Sequence, residues 1–452
     1  MSDETDIAVL LRLREQLVSA TEREAAGGRG RRRLGRRRLL WVTAAAVGTA
    51  AAAVTAIALA TRSGPATIYL GLSPARAAGG LLARRLGSAL PSGGPVAGKH
   101  VTPGDELTDV AVLSPADAWA VGGSVAAQAP AGLPVIVLPS GPAPGYGYSL
   151  VAHWDGAAWR KVAAPDVGPL AAVAACARND VWAIPYGYVT GRALHWDGSN
   201  WQVVSLPTPS RADVSAVELH DIVALAPDDV WIVGMCWLRH RPPSVRPVVL
   251  HWDGEAWTSV AVPLPRARVA ASLSSVSGSG ADDVWAVGTW GATPYRGGVP
   301  TLVEHWDGSA WRRIPSPHGV LDGLKTVAVR TSTDVWAAFT HGLIHWDGAS
   351  WHPFRVARTR SSDPYELALV PPADAWAVAD GFVERWDGRR WRLIADAALG
   401  IRPSGGWVTY KSVAGTGPDD VWIAGVATPP GGPSQALLLR WDGRVWSRLP
   451  LP

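Results

Sequence analysis

Five histidines hold one recurring position, each directly before a Trp-Asp-Gly tripeptide: His153, His195, His251, His305 and His345. Arg385 and Arg440 take the same place twice more. Aspartate recurs with them, seven times inside the tripeptide and seven times at the head of a second element, at Asp117, Asp180, Asp229, Asp283, Asp334, Asp374 and Asp420. Histidine and aspartate ligate metals and transfer protons, so the pattern raises metal-assisted and acid–base chemistry. Either chemistry requires the side chains to converge on one point, which the elements that carry them must decide.

The first element reads HWDGAAW, HWDGSNW, HWDGEAW, HWDGSAW, HWDGASW, RWDGRRW and RWDGRVW; the second, interleaved with it, runs from DAWAVG at Asp117 to DVWIAG at Asp420. Asp-Gly is a hairpin signal, since Gly takes positive φ freely and Asp tolerates it. An even loop length puts Trp154 with Trp159, and Trp196 with Trp201, on one face of their hairpins as cross-strand aromatic pairs. Asp155, Gly156, Asp197 and Gly198 are then turn residues. Upstream runs such as VSAVELHDIVALAPDDVWIVG add an apolar strand, a Pro-Asp turn and a β-branched strand. Four strands in about 40 to 55 residues, repeated seven times, are the signature of a propeller. The expected fold is all-β, a seven-bladed β-propeller of four-stranded antiparallel blades over 105–452. Three tryptophans per repeat account for 21 of the 25 and are assigned to blade-to-blade packing. Spread around a ring, the histidines do not converge, and they read as structural polar residues; the aspartates read as turn residues bonding their own backbone.

The N-terminal quarter is organised differently. Residues 1–38 hold a short amphipathic helix over 5–25, expected to be cytoplasmic, and seven arginines between Arg29 and Arg38. Residues 39–60 are 22 uncharged, mostly apolar residues, long enough to span a bilayer, with the arginines setting the N-terminus inside. The expectation is a transmembrane signal anchor, with secretion after cleavage near Ala60 as the alternative. Residues 61–104, rich in Gly, Ala and Pro, read as an extracytoplasmic linker. The strand-like stretch 66–72 leaves open how the ring closes. Residues 39–452 carry 32 basic and 32 acidic side chains, without the basic bias of a nucleic-acid binder. Cys176 and Cys236 fall near opposite rims and are read as unpaired, although an exported domain permits a bridge.

Function is expected where the repeats differ. Spacings from the second-strand Trp to the Trp-Asp-Gly Trp are 35, 14, 21, 21, 10, 10 and 19, so insertions fall between strands two and three, on one face of the ring. They carry Tyr146 and Tyr148, Tyr186, Tyr188 and Arg192, Trp237, Arg239 and Arg241, and Trp290, Tyr295 and Arg296. Tyr, Trp and Arg combine rigid area with a polar handle, and these eleven are the candidate ligand contacts.

Over 105–452 these elements resemble the exported, membrane-anchored WDG-repeat propellers of actinobacteria, which are similar to kelch and galactose-oxidase-like propellers. The resemblance implies the repeat fold and no particular activity. No copper site is carried over, because neither cysteine lies in a motif matching galactose oxidase, and no metal or other cofactor is expected. The reading is a binding or scaffold module outside the membrane, its ligand a cell-envelope glycan or protein. Alternatives are a hydrolase or lyase with a channel-centred site, and a transmembrane sensor coupled to a cytoplasmic protein partner through residues 5–25.

Overall fold

The computed structural model describes residues 104–451 except 126–136, 139–140, 143–146, 190, 208–213, 240–244, 265–268, 292–299, 316–319, 321–322, 341, 355–363, 402–405 and 431. It also describes three short strands before them, Trp41–Thr43, Val54–Leu59 and Thr67–Leu72, paired antiparallel into a small sheet. The amphipathic helix expected over 5–25 lies outside the described residues. So does most of the expected membrane span, 39–60, which includes the first two of these strands. Among the described residues no helix is long and apolar enough to cross a membrane.

Seven antiparallel sheets follow one another, each with four main strands paired in chain order and the third carrying a fifth. Blade 1 is Asp105–Ser114, Asp117–Val125, Gly147–Trp154 and Trp159–Lys161, paired in that order. Blades 2 to 7 repeat the plan and begin at Leu170, Val214, Ala270, Leu324, Pro364 and Trp407. The first strand of each blade lies against the first strand of the next, and that of blade 7 against that of blade 1, so the seven inner strands surround one axis. Among the described residues the sheets of blades 7 and 1 each hold only their own four strands, and Thr67–Leu72 pairs with Val54–Leu59.

What closes the ring is side-chain packing in seven seams, each with its own buried cluster. The second-strand tryptophan of one blade inserts against the tryptophan pair of the next. Trp119 lies 5.2 and 5.4 Å from Trp196 and Trp201, and Trp231 lies 5.0 and 5.4 Å from Trp306 and Trp311, ring centre to ring centre. The second contact is edge-on, an arrangement favoured by the ring quadrupoles. At the last seam Trp422 of blade 7 meets Trp154 and Trp159 of blade 1 at 5.3 and 5.4 Å.

The Trp-Asp-Gly loop has four residues, not the two of a tight hairpin. Trp196 faces Trp201 directly, and Asp197 N–H donates to the Asn200 carbonyl at 3.3 Å. Asp197 Oδ1 accepts the N–H groups of Ser199 and Asn200 at 2.9 and 2.8 Å, and Gly198 takes φ 94°. The aspartate therefore organises the loop as an acceptor of backbone N–H groups, while Gly supplies the left-handed residue. Trp196 and its counterparts do not reach the neighbouring blade by chance, because this loop fixes the Trp pair as a cleft.

Candidate functional site

The seven histidine and arginine positions form a repeated structural unit. His153, His195, His251, His305 and His345 each place Nε2 2.8–2.9 Å from Oδ1 of the aspartate that opens the second strand of their own blade. Each imidazole also lies against the second-strand tryptophan, at 4.0–4.6 Å between ring centres. Arg385 and Arg440 satisfy the same two demands with a guanidinium: they donate to Asp374 and Asp420 at 2.6 and 3.2 Å and lie 5.1 and 4.8 Å over Trp376 and Trp422. This corrects half of the turn assignment for the fourteen aspartates. The seven in Trp-Asp-Gly cap loops, whereas the other seven bond side chains across the blade. Burial opposes ionisation of Asp283, but hydrogen bonds from His305, Ser279 and Trp285 outweigh it and hold its carboxyl below the ordinary value. His305→Arg should therefore be tolerated within about 0.5 kcal/mol, while His305→Ala, which strips a partner from a buried carboxylate, should cost about 1–3 kcal/mol. Equal denaturation midpoints for the two variants would contradict this.

A second set of acids lies at the inner strands, where the sequence patterning gave no warning. Asp109, Asp221 and Glu366 each follow a β-bulge in the first strand of blades 1, 3 and 6. The bulge adds a residue and re-aims the next side chain. The glycine ending DAWAVG and DVWIVG belongs to the same feature: a Cβ on Gly122 or Gly234 would meet the carbonyl oxygen of Glu106 or Glu218 at 2.0 or 2.1 Å. Asp109 Oδ2 accepts the Val173 N–H of blade 2 at 2.7 Å, and its Oδ1 accepts Ser412 Oγ of blade 7 at 2.5 Å. Asp221 Oδ2 accepts the Val276 N–H of blade 4 at 2.9 Å, and Glu366 Oε1 accepts Thr326 Oγ1 of blade 5 at 2.8 Å. These carboxyls stitch neighbouring blades at the inner rim. Burial raises them, Asp109 to about 7 and Asp221 to about 6, with the Asp221 charge adding to the rise at Asp109. Glu366 is raised well above its ordinary value by burial and by the charges of Asp221 and Asp109. Among the described residues no group of three His, Cys, Asp or Glu is placed to hold a metal ion.

The face of the second-to-third strand connections holds the candidates named from sequence. Tyr148 is 47% exposed at the start of its strand, and Arg192 and Arg239 are also exposed. Tyr186 is half-buried, with its N–H donating to the Pro169 carbonyl at 2.7 Å. Trp237 and Trp290 are held by the scaffold. Trp237 packs on Met235, Val245 and Ala270; Trp290 donates Nε1 to the Thr301 carbonyl at 3.0 Å, with the Arg313 guanidinium 5.5 Å from its ring centre. Tyr188 lies in a two-residue strand that pairs with Val217 and Glu218, adding a fifth strand to blade 3. Tyr146, Arg241, Tyr295 and Arg296 lie outside the described residues. Among the described residues the most exposed large hydrophobic side chain is one that the insertion pattern does not point to: Trp407, 82% exposed, on this face at the head of blade 7. It is one of the few tryptophans outside the repeat pattern, which is the signal that could have found it. No disulfide joins Cys176 and Cys236; burial pushes the Cys176 thiol up to about 12, with the Asp180 charge adding to it.

No protein-family model and no curated protein matches the sequence. Among solved structures the chain is similar to YCF48 from Cyanidioschyzon merolae, at 14% identity over 76% of this chain and 97% of that one, with a TM-score of 0.46. It is similar also to YCF48 bound to D1 peptide, at 16% identity over 61% and 79%, TM-score 0.41. A third is a catalytically inactive virginiamycin B lyase from Staphylococcus aureus with quinupristin, at 10% identity over 74% and 95%, TM-score 0.49. These are likenesses of overall fold and give no residue of this chain a role.

Proposed function

We propose that the protein is a binding module, anchored in a membrane by residues 39–60 and displayed on its outer side. It takes a cell-envelope protein or glycan on the face of the second-to-third strand connections. The observation that carries this reading is the exposure of Trp407 and Tyr148 there, in a protein whose other tryptophans are largely committed to the seams. Large aromatic area left in water is costly unless a partner covers it. Arg192 and Arg239, exposed on the same face, add donors suited to carboxylates and sugar hydroxyls. The arginines between Arg29 and Arg38 and the apolar stretch after them support display outside the membrane.

The test is binding of the full-length chain to cell-envelope fractions beside the double variant Tyr148→Ala, Trp407→Ala. At about 1–2 kcal/mol for each aromatic anchor, affinity should fall at least tenfold while the unfolding midpoint stays put. Equal binding by both proteins would overturn the reading. Protease accessibility of the propeller in intact cells tests the orientation separately.

A further inference from the structure

On the opposite side of the ring, where the short turns lie, the seam between blades 3 and 4 holds a pocket of about 310 Å³. Its lining includes Asp228, Asp229 and His251 of blade 3, and Ala281 and Trp306 of blade 4. Asp229 is 7% exposed, and its Oδ1 accepts Trp231 Nε1 at 2.7 Å and His251 Nε2 at 2.9 Å. Its Oδ2, equally buried, receives no hydrogen bond. A buried carboxylate oxygen left without a donor costs free energy that a ligand able to donate would recover.

The same atom is served in the other blades. Asp117 Oδ2 receives Arg178 Nε, reaching across from the first turn of blade 2, at 2.9 Å. Asp334 Oδ2 receives an Arg330 guanidinium nitrogen at 2.5 Å, and Asp374 Oδ2 receives Arg385 at 2.6 Å. Hydroxyls of Ser279 and Thr416 serve Asp283 and Asp420 at 2.5 and 2.7 Å, and the Cys176 thiol faces Asp180. In blade 3 the residue matching Arg330 is Leu225, and the next-blade residue matching Arg178 is Ala281. Neither side chain can donate, and the small residues Gly280, Ala281 and Gly308 leave the space open.

We propose that this pocket binds a guanidinium group, the side chain of an arginine presented by a peptide or protein partner. The protein itself places arginine at the equivalent carboxylate in three other blades, from three different chain positions, so the geometry accepts a planar donor from more than one direction. Asp228 adds a second negative charge, no arginine or lysine lines the pocket among the described residues, and Trp306 offers an aromatic surface beside it. The site is distinct from the connection face and does not depend on binding there.

The test uses the full-length chain and two capped tripeptides, acetyl-Gly-Arg-Gly-amide and its citrulline analogue, titrated by calorimetry or NMR. Citrulline keeps the shape but loses the charge and replaces one terminal nitrogen, with its donors, by an acceptor oxygen. The arginine peptide should saturate in the millimolar range, with the citrulline peptide at least about tenfold weaker. Ala281→Arg should fill the pocket from within: binding is lost, and the unfolding midpoint rises by about 2 °C as Asp229 gains its donor. Asp229→Asn should weaken arginine binding at least about tenfold as well. Absence of saturation, equal affinity for both peptides, or arginine binding undiminished in Ala281→Arg would each overturn the proposal.

Discussion

Trp422→Ala should destabilise the propeller by about 3–5 kcal/mol, the range for removing a fully buried aromatic that neighbours cannot collapse onto. Trp422 is wholly buried, donates Nε1 to Asp420 Oδ1 at 3.0 Å, carries the Arg440 guanidinium on one side and meets Trp154 and Trp159 on the other. Its loss therefore removes area, a hydrogen bond and a cation–π contact together. It also falls at the seam between blades 7 and 1, the last and first in chain order, which among the described residues is joined by packing and hydrogen bonds and by no connecting loop. Trp231→Ala removes a matching side chain at a seam that the chain does bridge, and serves as the comparison. Denaturant titration followed by circular dichroism should show a lower midpoint for both, with the larger drop for Trp422→Ala. A loss below about 1 kcal/mol would mean that the seams are not held by their tryptophans.

The second large effect is a fall in stability as pH rises. Asp109 and Asp221 are raised to about 7 and about 6 by burial, and Glu304 to about 8, again by burial, with Arg313 opposing. Each of these acids binds its proton more tightly in the folded protein than in the unfolded chain. Between about pH 4 and pH 8 the folded state therefore holds more protons, and stability declines through that window. The exposed loop aspartates act the other way: hydrogen bonds, led by Arg160 at Asp155 and by the Asn200 N–H at Asp197, hold them below the ordinary value, so their contribution is lost in stronger acid. The unfolding midpoint should peak near pH 4–5 and drop towards pH 8. Glu304 tests one member. It is fully buried, its carboxylate oxygens receive no hydrogen bond, and the matching residues are apolar in five of the other blades, among them Leu250 and Leu439, while blade 6 has Glu384 there. Glu304→Leu should gain on the order of 4 kcal/mol at pH 8 relative to the parent and little at pH 4.5. A gain of the same size at both pH values would show that ionisation is not the cause.

The fold could be read because its determinants are local and repeated. An aromatic, an Asp-Gly loop and a β-branched strand announce themselves within a few residues, and fourteen interleaved copies leave one architecture. The partnership of Asp283 with His305 was less visible, since it joins two strands 22 residues apart. Its trace was there all the same, in the replacement of His by Arg, which preserves both a donor and a flat face for tryptophan. The inner-rim carboxyls were not legible. Asp109 and Asp221 stand beside other polar residues of their strands, Glu106 and Thr108 in one and Glu218 and His220 in the other, so the pattern does not set them apart, and only the bulge and the curvature of the ring bring them near one another. The candidate ligand face was half legible: loop length between strands two and three marked it, but that length does not tell Trp290, folded back onto its own blade, from Trp407, left in water at the head of a first strand.

The tryptophan seams also have a direction. Each blade presents a ring on one flank and a cleft on the other, and blade 7 offers to blade 1 the same ring that blade 1 offers to blade 2. The joint between the seventh blade and the first is therefore chemically like the other six. Nothing in the circle marks a first blade, and a polypeptide restarted at another blade junction would find the same lock waiting for its last key.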